Sequence, residues 1–484
     1  MAASMLLFDV GKYFSEVHVC MSSQVEPIQI SKLNHIFSSM IQEIVTAKLR
    51  VRLEESFIAD LESILEASEQ ELSSEMCECV TNCYRLCRNI CAMCTDNQTL
   101  LRNSERFIKL THTLLSTQVH SDTKSEELFL LLRCVVQFLG NYSSGNKENQ
   151  IQIWEQFGDV FRNLLLLEDE KLKEYVLMVI HIILTDIQIM ISATLGDTEW
   201  SLLNTCVQIA AKSDSQNGLL VTEDCLKIPE FCEKLYNKMP IQTRILMLEV
   251  LMNMLQRLPE DNSQTTDTDI APGGDIPASN NIHYIAADFI LQSHLIPSLP
   301  SDSSNQLQVM CSVKELECLC IASAHHNLYG SIQENEQLVK TVVSLLQCIE
   351  EIGQQGDNVF TSVDKMSNIR EVNTDHPVYG LKRDLIRLLG NMAYKHRHNQ
   401  DLIRELGGLP LILAQTNIDG KNPFITQWSV FAIHNLTEEN VENRHYIADL
   451  KLQGVTNNQA ILEEMGLYAE TDGQKVVIKK KKNE

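Results

Sequence analysis

The sequence predicts an all-α fold in which helices stack in series as an α-solenoid, wound into a right-handed superhelix. Three observations carry that expectation. Apolar residues recur at helical spacing along most of the chain. Gly and Pro, the residues that interrupt helices, number only 19 and 11 in 484 residues. Finally, a pair of asparagines separated by eight residues occurs four times with matching apolar flanks.

The length exceeds that at which one hydrophobic core keeps growing, so several domains or a repeat array are expected. An apolar content of 44% excludes bulk disorder. With 40 Lys plus Arg against 64 Asp plus Glu, the formal charge of −24 repels nucleic acid, which is therefore not an expected partner. The N-terminal MAASMLLFDVGKYF has neither a basic region nor a small-residue cleavage site, so an intracellular protein is expected. The most apolar stretch, Tyr175 to Ile191, carries His181, Asp186 and Gln188 and is shorter than a bilayer requires. It reads as a buried helix, and no membrane insertion is expected.

Fifteen cysteines in such a chain are expected to be thiols. Cys79, Cys83, Cys87 and Cys91 follow one another every four residues, which on a helix draws a single stripe. Cys91 and Cys94 form a CxxC pair, but a ladder on one helix does not surround a tetrahedral zinc ion, and packing is the expected role. No metal and no cofactor are expected.

Helical periodicity runs over roughly 31–49, 76–94, 124–140, 170–191, 241–258, 333–352, 381–394, 399–414 and 424–436, with no competing strand-like alternation. Residues 259–281, PEDNSQTTDTDIAPGGDIPASNN, break the pattern and read as an exposed acidic loop. Residues 353–377 form a second polar break that ends in Asp-His-Pro. These divide the chain into N-terminal repeats at 1–258, helical repeats at 282–352, a C-terminal domain at 378–455 and a tail at 456–484. Lys475, Lys479, Lys480, Lys481 and Lys482 make that tail basic, and it reads as a solvated, disordered end.

The repeated pairs are Asn89 and Asn97, Asn141 and Asn149, Asn391 and Asn399, and Asn435 and Asn443. Cys87, Leu139, Leu389 or Ile433 stands two before the first Asn; Leu101, Ile153, Ile403 or Ile447 stands four after the second. The first Asn falls late in an amphipathic helix, where its amide is expected to bond the backbone of the ending turn. The second is expected to act as an N-cap for the next helix. A fifth pair, Asn327 and Asn335, keeps the spacing but has His325 at the apolar position, and it reads as a degenerate copy.

This pattern resembles the armadillo repeat, and Gly407 and Gly408 resemble that family's turn between its first and second helices. Repeats of this kind run about 40 to 47 residues. The segment Leu381 to Leu450 (LKRDLIRLLGNMAYKHRHNQDLIRELGG onward) resembles more specifically the domain of the ataxin-10 family. That resemblance implies an armadillo-type fold and a cytoplasmic, perinuclear protein with ties to centrosome, basal body and midbody. It further implies roles in neuron survival, neurite outgrowth and cytokinesis, with O-GlcNAc transferase and the G-protein β subunit as partners.

An armadillo solenoid binds partners along the groove lined by its third helices. Importin-type proteins carry Trp four residues before the groove Asn. Here those positions hold Arg85, Gln137, Arg387 and Phe431, which argues against the alternative of a nuclear transport adaptor. The expected partner-binding residues are Arg387, Asn391, Phe431 and Asn435, where Arg387 would pair an acidic group and Phe431 would bury an apolar one. The other six asparagines are expected to be structural. Exposed apolar faces at an uncapped solenoid end also allow self-association. No Gly-rich phosphate loop, HExxH or GxSxG occurs, and Lys395, His396, Arg397 and His398 fall in a polar turn, so no enzymatic activity is expected.

Overall fold

The computed structural model describes residues 11–22, 28–47, 51–120, 125–192, 195–259, 275–299, 303–363, 371–450, 467–471 and 476–480. Its helices divide between two compact units, Met1–Ile228 and Pro229–Glu484.

The first unit contains α1 (Gly11–Ser22), α2 (Ile28–Ala47), α3 (Glu55–Gln70), α4 (Ser74–Cys91), α5 (Thr95–Asn103), α6 (Glu105–Val119), α7 (Glu126–Ser143), α8 (Lys147–Leu165), α9 (Glu170–Ser192), α10 (Asp197–Ala210) and α11 (Gln216–Leu226). They form two layers. In one, α2, α4, α7, α9 and α11 pack in that order, each on its neighbour; in the other, α1, α3, α6, α8 and α10 do the same. Such nearest-neighbour stacking defines a solenoid. Short polar side chains start the helices: Ser73, Ser104, Ser125 and Ser215 each accept a hydrogen bond from the amide three residues on. Acidic residues Glu75, Glu105, Glu126 and Glu170 occupy first turns, where the helix dipole favours them.

Tyr84, Phe107, Phe138 and Tyr142 join α4, α6 and α7, with Phe107 edge-on to Phe138 at 5.8 Å. The cysteine stripe of α4 is buried throughout, as expected of a packing role. Burial pushes the Cys87 thiol up to about 12, far from the thiolate form that a metal requires.

The second unit contains α12 (Phe231–Leu235), α13 (Ile241–Gln256), α14 (Ser279–Gln292), α15 (Ser303–Ala322), α16 (His326–Tyr329), α17 (Glu336–Gln354), α18 (Leu381–Ala393), α19 (Arg397–Glu405), α20 (Gly408–Ala414), α21 (Ile425–Thr437) and α22 (Val441–Asp449). Here α13, α15, α18 and α21 pack in series, while α12, α14 and α17 form another layer of this unit with α19 and α20. Gly390 lets α18 and α21 approach closely, since a Cβ there would lie 3.1 Å from Ala432.

The single helix expected at 399–414 is two, broken at Gly407, whose φ of +75° is the left-handed conformation anticipated for this turn. Of the expected acidic loop, 260–274 lies outside the described residues; Ser279 already begins α14, and Asn281 is buried, accepting from Cys232 N at 2.9 Å. The tail, read as disordered and free of strand pattern, instead contains an antiparallel hairpin of β1 (Leu467–Thr471) and β2 (Val476–Lys480), in which Lys479 pairs with Tyr468. The β-branched run Val476-Val477-Ile478 is the local cause. Lys475, Lys481 and Lys482 lie outside the described residues.

Candidate partner-binding surface

The asparagine pairs make one repeated arrangement, and it differs from the expected one. The second Asn of each pair is not the N-cap. It sits three residues further on, and its own amide N–H is capped by Asn146 before Asn149, His396 before Asn399 and Asn440 before Asn443. Its Nδ2 instead donates backward twice. One bond goes to the carbonyl seven residues earlier: Ile90 for Asn97, Tyr142 for Asn149, Met392 for Asn399 and Leu436 for Asn443. The other crosses to the preceding repeat, at Val51, Gln98, Gln333 and Gln400 respectively. All four asparagines are 0% exposed, so the first of these bonds satisfies a carbonyl in the last turn of a helix out of reach of water, and the second ties that turn to the preceding repeat.

The first Asn also reaches across repeats and does not bond the turn that follows it. Asn141 Nδ2 donates to Arg88 O at 2.9 Å, Asn391 to Cys320 O at 3.0 Å and Asn435 to Gly390 O at 2.9 Å. Asn89 is half-buried and accepts from Arg88 Nε at 3.2 Å. Asn391 and Asn435 were expected to touch partners, but they are 3% and 1% exposed with their donors committed inside the fold. They belong with the structural residues.

The following Gln completes the set. Gln98 Nε2 donates to Cys91, Asn141 and Ser144 carbonyls, and Gln400 Nε2 to those of Ala393, Asn435 and Glu438. Gln333 Nε2 donates likewise to Asn391 and Tyr394 carbonyls. Thus Gln333 marks the intervening copy, and the pair Asn327 and Asn335 does not: Asn335 is a plain N-cap that accepts from Leu338 N at 3.0 Å. The 3-10 turn Gly330–Glu334 lengthens this repeat and shifts its register.

With the asparagines accounted for, Arg387 and Phe431 remain. They do come together, through Trp428. The Arg387 guanidinium lies over the Trp428 indole, 4.7 Å from its centroid, and Trp428 stands edge-on to Phe431 at 5.6 Å. Arg387 belongs to α18, Trp428 and Phe431 to α21, and the close passage at Gly390 brings them into register, with Phe431 Cδ1 3.3 Å from a Cβ placed there. Trp428 precedes the groove Asn by seven residues, one helical turn before the position searched, which is why the spacing rule missed it. Phe431 is 38% exposed, and Phe424, the N-cap of α21, and Val430 on that helix are 70% and 58% exposed. Among the described residues nothing accepts the Arg387 Nε hydrogen.

The corresponding positions in the first unit are occupied differently. Arg85 donates to Asn82 Oδ1 at 3.2 Å, and Gln137 accepts from Arg88 Nη1 at 2.5 Å. Their polar groups are used within the unit. Among the described residues there is no cluster of three or more His, Cys, Asp or Glu arranged to hold a metal, and no helix is long and apolar enough to cross a membrane.

A family model described as the spinocerebellar ataxia type 10 protein domain matches residues 381–479, the segment that contains this surface. Ataxin-10 of Bos taurus is 30% identical over 421 residues, covering 85% of this chain and 84% of that protein. Ataxin-10 of Homo sapiens is 30% identical over the same shares. The ataxin-10 homolog of Dictyostelium discoideum is 42% identical over 169 residues, 35% of this chain and 26% of its own. Agreement at that level along most of both chains, on a stack of helices with the asparagine arrangement described above, means that the chain belongs to the ataxin-10 family.

Proposed function

We propose that the chain is a non-enzymatic scaffold that binds partner proteins at the surface formed by Arg387, Trp428 and Phe431. The observation that carries this reading is the Arg387 to Trp428 stack beside a half-exposed Phe431. Arg and Trp are the residues that most often anchor interfaces, and stacking fixes the guanidinium so that little entropy is lost when its edge meets a carboxylate. The matching partner segment carries an acidic group next to an aromatic or branched apolar residue. The neuronal, cytokinetic and centrosomal roles, and O-GlcNAc transferase and the G-protein β subunit as partners, rest on the family resemblance and belong to this proposal, as does the cytoplasmic, perinuclear location.

The test is affinity of the full chain for each of those two purified partners. Arg387→Glu reverses the charge while retaining a helix-compatible residue, and it should weaken binding at least tenfold with the thermal midpoint nearly unchanged. Unchanged binding of both partners would remove the assignment. A second reading, self-association through the exposed Val430 on α21 and Phe424 at its N-cap, is favoured by their exposure alone. Val430→Glu would then lower the apparent mass in sedimentation and leave partner binding intact.

A further inference from the structure

The second unit buries a cluster of ionisable groups away from the Arg387 surface. Glu315 on α15 is 1% exposed, and Tyr236, in the 3-10 turn after α12, donates its hydroxyl hydrogen to Glu315 Oε1 at 2.5 Å. The second carboxyl oxygen, Glu315 Oε2, is sealed from solvent and has no donor, and the same holds for Oδ2 of Asp288 on α14. The helices α14 and α15 pack on each other, and Asp288 is the carboxyl neighbour that acts on Glu315. Two acceptors that are each orphaned and adjacent are both satisfied by one proton placed between them.

The surrounding charge agrees. Arg244 of α13 lies over the Tyr236 ring at 5.1 Å, with Nε and Nη2 donating to the Met239 and Asn237 carbonyls. It is the cation that acts on Glu315, against two carboxyls. The other groups facing the site carry no positive charge: Cys311, whose Sγ is 3.4 Å from the Tyr236 hydroxyl, the buried thiols of Cys232 and Cys318, and the Tyr284 ring edge-on to Tyr236. Two buried carboxylates sharing one cation are strongly disfavoured.

We infer that Glu315 is protonated in the folded protein and donates to Asp288 Oδ2, and that this single proton is a pH-sensitive latch that ties α14 to α15. Loss of the proton to solvent leaves two facing carboxylates, whose repulsion opens the layer contact. Burial holds the Glu315 carboxyl well above the ordinary carboxylate range, with the Tyr236 hydrogen bond opposing and Asp288 reinforcing that shift. Because the folded value exceeds the unfolded one of about 4.3, the stabilisation is whole below the unfolded value and is lost as pH rises through the folded one.

The experiment is hydrogen exchange of the full chain, read by mass spectrometry over Ser279–Gln292 and Ser303–Ala322, at several pH values from about 5 to about 9. Glu315→Gln has the same shape and donates an amide N–H to Asp288 at every pH. Relative to this variant, local protection in the natural chain should fall about tenfold per pH unit until Glu315 ionises in the fold. A ratio that does not change with pH overturns the inference. Should Glu315→Gln fail to fold, Asp288→Asn supplies the second arm: its amide can donate to an ionised Glu315, so protection should stop falling at a lower pH than in the natural chain, and an unchanged profile would overturn the inference. In the natural chain at neutral pH, an infrared carbonyl band from a buried protonated carboxyl is expected; its absence would equally overturn the latch.

Discussion

The side chain of Asn149 donates to the main-chain carbonyl of Gln98 at 3.2 Å, across 51 residues of sequence. Asn443 makes the same bond to Gln400 at 3.2 Å in the other unit, and in both cases an arginine one repeat earlier, Arg102 or Arg404, donates to the amide oxygen. Two widely separated pairs of repeats therefore share one joint.

Replacing Asn149 by Ala removes two donors: Tyr142 O, in the last turn of α7, loses its partner, while Gln98 O, inside α5, keeps its helical bond. The expected loss is about 1–3 kcal/mol, the cost of one unsatisfied buried group. Asn149→Asp should be worse, because an acceptor then faces two carbonyls. Urea denaturation followed by circular dichroism measures both, and a loss under about 0.5 kcal/mol would show that the joint is dispensable.

Each turn after a third helix places one residue in the left-handed region, four positions after the first Asn. Met93, Gly145, Lys395 and Glu439 have φ of 54°, 70°, 49° and 53°. For a side chain this costs about 1–2 kcal/mol, while glycine adds about 0.5–1 kcal/mol of unfolded-state entropy. Met93 is 87% exposed and contributes little packing. Met93→Gly should therefore stabilise the chain by up to about 1 kcal/mol, and Gly145→Ala should destabilise it by a similar amount, as read from thermal midpoints.

Lys382 is 3% exposed, and its Nζ lies 2.7 Å from Glu350 Oε2, which also accepts from Gln415 at 3.1 Å. Breaking this pair with Lys382→Met leaves a carboxylate without its counter-ion and should cost about 3–5 kcal/mol. Burial alone would raise the Glu350 carboxyl, but the Lys382 hydrogen bond holds it below its ordinary value. Its contribution is thus present above the unfolded value of about 4.3 and is lost as pH falls through the folded one. In Lys382→Met burial is opposed only by the Gln354 and Gln415 hydrogen bonds, and protonation relieves the site, so the deficit of the variant should shrink towards about pH 4. A deficit in urea midpoint that grows on acidification would contradict this account.

Cysteine labelling should sort the thiols by burial. Cys94 and Cys348 are half-exposed and should react with a maleimide in the native chain, whereas Cys79, Cys83, Cys87 and Cys91 should react only after denaturation. Mapping the labelled peptides by mass spectrometry distinguishes the two sets. Rapid native labelling along the α4 stripe would mean that α4 leaves its neighbours.

The helical repeat was legible because its marks are local: a period of 3.6, an Asn spacing of eight, and a glycine pair at one turn. What those asparagines do was not, because their acceptors lie 43 to 53 residues away for Asn149, Asn443 and Asn141. Spacing within one repeat carries no signal about which carbonyl of the next is in reach. Trp428 was overlooked because a one-turn offset along α21 preserves the face but not the counted position. The helix α15, Ser303–Ala322, falls in none of the expected periodic segments: it packs against several neighbours and its sequence carries no clean apolar stripe. Glu315 gave no sequence signal at all, since Tyr236 lies 79 residues before it. The β1–β2 hairpin was hidden by reading the lysines ahead of the branched residues beside them.

The rungs contributed by Asn97, Asn149, Asn399 and Asn443 end on main-chain oxygen, and every amino acid carries that oxygen. The rung itself asks nothing of the side chains of the residues that receive it, Val51, Gln98, Gln333 and Gln400, although the three glutamines add donors of their own to the next repeat. Each rung is thus written in a single letter on one side, and it needs no matched change in the residue whose carbonyl receives it. A chain assembled from such junctions can drift through most of its text while its repeats still recognise their neighbours.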